Sequence, residues 1–68
     1  MTPEHMVHMV NQIAQFFQSS PHDEAVAGIA DHLKQFWEPR MLRQLRAHIA
    51  SGGEGLHMLV LDAAKVLQ

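Results

Sequence analysis

The chain has no cysteine and no tyrosine, and only one tryptophan. Without thiols, disulfides, thiolate-held iron–sulfur clusters and sulfur redox chemistry are excluded for this chain. An excess of positive charge is missing too. Five Lys and Arg against seven Asp and Glu give a formal net charge of −2, so no global field draws the chain to nucleic acid or to an anionic membrane. Runs of β-branched residues are nearly absent, which argues against a sheet. No stretch approaches the roughly 18 consecutive apolar residues of a membrane span, and Met1-Thr2-Pro3-Glu4-His5 has no basic region followed by an apolar run. A soluble, cytoplasmic protein with no membrane partner is expected.

What is present is apolar and helical. Hydrophobic residues make up 47% of 68 positions, enough for one domain spanning residues 1–68. A chain of this size buries only about 60% of its unfolded surface, so a partner can supply stability that the core lacks. Thr2 and Pro3 form a helix start, with Glu4 in the first turn. Met6, Met9, Val10, Ile13, Phe16 and Phe17 then recur at three- and four-residue spacings, which predicts a helix over about residues 3–18. Ser20 and Pro21 restart the chain, with Asp23 and Glu24 at the positive end of a new dipole. Ala25, Val26, Ile29, Ala30, Leu33, Phe36 and Trp37 carry that helix to about residues 21–37. Gly28 in its middle costs up to about 1 kcal/mol relative to Ala, which points to close approach of another helix.

The stretch from His32 to Met41 is a corner. Pro39 lacks an N–H and pushes Glu38 out of the helical region, so one helix ends there and a third begins, over about residues 39–51. Leu42, Leu45 and Ile49 share its inner side. Gly52 suits the left-handed position after that helix. The last helix, about residues 56–67, is apolar on nearly every face, so it is either central to a bundle or partly covered by a partner. The predicted fold is all-α, a small bundle of about four short helices.

Site chemistry is sparse. The six histidines offer only His5 and His8 as a neighbouring pair, with no further ligand at metal spacing, so no metal is expected. His32, four residues before Phe36, is expected to be partly buried. Ser19, Ser20 and Ser51 fall at helix ends, where capping explains them, and none lies in a nucleophile elbow. Gly52-Gly53-Glu54-Gly55 lacks the Lys-Ser/Thr and the preceding strand of a phosphate loop and is read as a connector. The basic residues do cluster: Lys34, Arg40, Arg43 and Arg46 lie close together while the acids are dispersed. Guanidinium groups pair well with carboxylates, which suits an acidic patch on a protein partner. The short basic run and the net negative charge argue against nucleic acid.

Three segments carry a family resemblance: Met6-Val7-His8-Met9-Val10-Asn11-Gln12-Ile13-Ala14, Ala25-Val26-Ala27-Gly28-Ile29-Ala30-Asp31-His32-Leu33 and, most specifically, Phe36-Trp37-Glu38-Pro39-Arg40-Met41. Over roughly residues 6–60, including the Gly-Gly connector before Leu56, the chain resembles the delta subunits of bacterial NAD-dependent, molybdenum-containing formate dehydrogenases. It departs from that pattern at His8, where a basic residue such as Arg is expected. Glu38 replaces the commoner Asp, and His57-Met58 stands where an acid and Pro often begin the last helix. The resemblance implies a non-catalytic accessory subunit of a soluble complex that oxidises formate to carbon dioxide and reduces NAD. In that complex the alpha subunit carries molybdenum bis-guanine dinucleotide and iron–sulfur clusters, other subunits carry FMN and further clusters, and the delta subunit binds no cofactor.

A docking module for the alpha subunit, supporting assembly, stability or cofactor maturation, is therefore expected. Phe36, Trp37 and Met41 are its candidate anchor, and Arg40, Arg43 and Arg46 the candidate partners for acids at the rim, since large aromatics and Arg dominate interface energies. The competing view makes Phe36 and Trp37 internal, with Arg40 capping the corner. The alternative in another class is a self-associating helical module, a homodimer through the last helix with no link to formate oxidation.

Overall fold

The computed structural model describes residues 2–67. Four helices follow one another: α1 (Pro3–Phe17), α2 (His22–Phe36), α3 (Pro39–Ala50) and α4 (Met58–Val66). No strand occurs among the described residues, so the all-α expectation holds, with the starts of α1 and α3 as expected and the other ends shifted by one or two residues.

Thr2 caps α1 as expected: its Oγ1 accepts the His5 N–H at 3.1 Å, and Pro3 occupies the first turn. Met6, Val10 and Ala14, spaced by four, are fully buried, and Val7, Met9, Ile13 and Phe17 pack beside them. Phe16 leaves the predicted stripe and is 79% exposed. At about 100° per residue it lies some 120° round the helix from Val10, whereas Phe17 falls nearly in line with it.

The second start differs from the expectation at Ser20. Its hydroxyl does not cap α2; its N–H closes the turn onto Phe17 O at 3.0 Å. Pro21 sits outside the helix at φ −54° and ψ 150°, and its carbonyl accepts the Ala25 N–H at 2.9 Å. Ala25, Ile29 and Leu33 then line the core at four-residue spacing. Gly28 does mark a close approach. A Cβ there would overlap the Phe17 ring, with Cδ1 only 2.8 Å away, so the ring of α1 rests on bare α2 backbone.

The corner behaves as Pro39 dictates. Trp37 leaves the helix at φ −92° and ψ 134°, its N–H still bonded to Leu33 O at 3.0 Å. Glu38 is extended, and its carbonyl receives Met41 and Leu42 N–H at 2.9 and 3.1 Å. In α3 Leu45 is buried, with Met41, Leu42 and Ile49 packed on the same core.

The connector after α3 is closed by backbone and side chain together. Gly53 N–H bonds His48 O at 2.9 Å and Gly52 N–H bonds Ile49 O at 3.0 Å, the paired bonds of a Schellman ending. Left-handed backbone is needed at Gly52 (φ 123°) and Gly53 (φ 67°), so the special conformation spreads over both glycines. Asn11 of α1 then holds the loop from the other side. Its Nδ2 donates to Gly55 O at 2.8 Å and its Oδ1 accepts His57 N–H at 2.9 Å. His57 caps α4, Nδ1 accepting the Leu59 N–H at 3.1 Å. The histidine thus does the work that an acid would do at this start, since an imidazole with a free Nδ1 is also an acceptor.

Helix α4 is central to the bundle on one side and exposed on the other. It packs chiefly against α2 and also reaches α1, burying Val60, Ala63 and Leu67 in the shared core. Its Met58 and Val66 face outward. His22 Nε2 and Asp62 Oδ2, 3.3 Å apart, tie the start of α2 to α4.

Candidate docking surfaces

The corner splits the adjacent aromatics. Trp37 continues the Ala25, Ile29, Leu33 spacing and is 7% exposed, part of the core. Phe36 is 69% exposed. A joint Phe36–Trp37 surface is therefore not what the fold presents: Trp37 is internal, as in the competing view, and Phe36 lies exposed. The reason is helical spacing, which keeps Trp37 in line with Leu33 while Phe36, one position earlier, falls about 100° away from the core line.

Phe36 has company. His32 is half-buried, as expected, and its ring lies 4.8 Å from that of Phe36 at 41°. His32 also lines a groove of about 470 Å³ with Met9, Gln12, Ile13, Phe16, Phe17 and an edge of Trp37. Phe16 and Phe17 meet edge to face at 5.2 Å. The result is an open, uncharged groove between α1 and α2 whose rim is aromatic. Sequence reasoning missed its α1 wall because Phe16 and Phe17 were assigned to one buried stripe.

The remaining candidates on α3 do different jobs. Arg40 and Arg43 are exposed; Arg40 lies 3.8 Å from Glu38, an ion pair in full solvent and worth little. Met41 is half-buried against the core. Arg46 donates from its guanidinium to Leu67 O at 2.9 Å, tying α3 to the end of α4. The six predicted site residues thus do not converge on one patch. Among the described residues no three His, Cys, Asp or Glu side chains are grouped to hold a metal ion, and no helix is long and apolar enough to cross a membrane.

A family model described as NADH-dependant formate dehydrogenase delta subunit FdsD matches residues 5–64. The chain belongs to the FdsD family. No curated protein and no solved structure matches. The FdsD match takes in nearly all of α1, the whole of α2 and α3, and α4 as far as Ala64. It therefore includes both walls of the aromatic groove, the Pro39 corner, and the Asn11 clamp with the loop it holds.

Proposed function

We propose that this FdsD-family chain, as a single helical domain, is a non-catalytic accessory subunit that docks on the catalytic alpha subunit of a soluble, cytoplasmic NAD-dependent formate dehydrogenase. The family match over residues 5–64 carries this reading. In docking it supports assembly, stability or molybdenum-cofactor maturation of the active complex, while the molybdenum, iron–sulfur and FMN cofactors reside on other subunits. Phe36, with Phe16 and the tilted His32 ring beside it, forms the apolar part of the contact, and Arg40 meets acids at its rim. The support is physical: large exposed rings beside a groove are costly to leave in water and are the side chains that most often dominate interface energy.

Affinity capture with the tagged chain, from cells expressing the formate dehydrogenase subunits with and without molybdenum cofactor synthesis, tests this reading. Retention of the whole complex regardless of cofactor is the mark of a permanent subunit. Retention of the cofactor-free alpha subunit alone is the mark of a maturation factor. Retention of neither, with the pure chain sedimenting as a dimer, overturns docking in favour of self-association through α4, where Met58 is 76% exposed.

A further inference from the structure

The last two helices are splayed. Helix α4 rests mainly on α2 and α3 rests on α1, so the pair diverge and leave a cleft of about 460 Å³ lined by Ile49, Leu61, Ala64, Arg46 and Lys65. It shares no lining residue with the aromatic groove. Its floor is aliphatic and its edges are cationic. The Leu67 carbonyl holds the Arg46 guanidinium in place, using one of five N–H donors. Lys65 Nζ lies 3.9 Å from Asp62 Oδ1, beyond hydrogen-bond length, so the ammonium keeps its donors. One turn before Arg46, Arg43 is exposed and makes no ion pair among the described residues. Among the described residues, Asp62 is the one carboxylate within ion-pair distance of any of these three cations, beside Lys65, and it also serves His22.

We propose that this α3–α4 cleft is a second contact of the docked chain, taking a segment of the formate dehydrogenase complex that presents aliphatic side chains flanked by Asp or Glu. The inference rests on the docking reading above and adds the chemistry of the second partner segment. The floor selects against a small free anion, which would leave Ile49, Leu61 and Ala64 uncovered. Nucleic acid is disfavoured because no aromatic side chain lines the cleft to stack a base. An acidic, aliphatic segment satisfies both floor and edge, with the charges chiefly setting specificity and encounter rate.

The chain has two lysines, Lys34 and Lys65, which makes zero-length carbodiimide coupling of amines to carboxylates a direct readout. The complex captured by the tagged chain is coupled and digested, and capture is repeated with Arg43→Glu/Lys65→Glu, a variant that leaves the Arg46 tether intact. The expected result is Lys65 joined to an Asp or Glu of another subunit, with capture by the double variant weakened about tenfold at low salt. Equal capture by wild type and a double variant of unchanged helicity overturns the cleft contact while docking stands. Coupling of Lys65 to a second copy of this chain overturns it in favour of self-association. Capture of nothing by the wild type overturns docking and the cleft together.

Discussion

Between α1 and α2 the chain sets the Phe17 ring on a glycine and leaves Phe16 at the rim of a groove, with Phe36 exposed beside the His32 that also lines it. Between α3 and α4 it leaves an aliphatic cleft edged by Arg46 and Lys65. The first seam rests a ring on bare helix backbone and is aromatic above; the second is aliphatic and held by one guanidinium at its end. In a bundle this small, the same few side chains cannot both fill a core and cover every seam. The contrast separates residues buried in the core from residues left exposed, and neighbours in sequence fall on opposite sides of that division.

Trp37→Ala breaks the first seam most severely. Removing a buried indole costs about 3–5 kcal/mol, a large share of what a domain this size possesses, so circular dichroism should show lost helicity in the isolated chain. Retained helicity would return Trp37 to the surface anchor. Asn11→Ala comes next. It deletes two bonds to the α3–α4 connector and leaves the His57 N–H without its acceptor, a loss of about 2 kcal/mol readable in urea unfolding. Amide exchange at Gly55 to Leu59 should quicken more than in α2.

Gly28→Ala sharpens the comparison because helix propensity and packing oppose each other. Alanine should gain up to about 1 kcal/mol in an ordinary helix, but here its methyl displaces the Phe17 ring, and overpacking of that kind costs about 1–3 kcal/mol. A net loss of about 1 kcal/mol is expected, relieved when Phe17→Leu is added. A stabilised single variant would mean that the ring yields freely. The smallest stability effect belongs to Phe36→Ser, within about 0.5 kcal/mol of wild type as for other exposed positions, measured by the same unfolding curve.

Much of the fold was legible because helical periodicity and stop signals are local. Thr2 and Pro3, the four-residue series through α2, the Pro39 corner and the paired glycines all act within a turn of themselves. Gly28 was readable as a close approach from its cost alone. Ser20 was not readable, since two starts were available one residue apart and Pro21 took the flanking position. The Asn11 clamp could not be seen at all: its partners lie 44 and 46 residues away, and an amide on a helix edge looks solvated until the loop arrives. At the candidate docking surfaces the sequence offered aromatic and Arg residues as one set, and the structure divides them into buried and exposed members. Trp37 falls in the buried four-residue series with Leu33 and Phe36 does not, and Arg46 differs from Arg43 in reaching the end of α4.

The central claim, that folding and docking use different members of the aromatic set, is tested most directly by Phe16→Ser/Phe36→Ser in the full chain. Helicity and capture of the formate dehydrogenase alpha subunit are measured on the same preparation. The account predicts wild-type helicity with capture lost. Wild-type helicity with capture undiminished would contradict it.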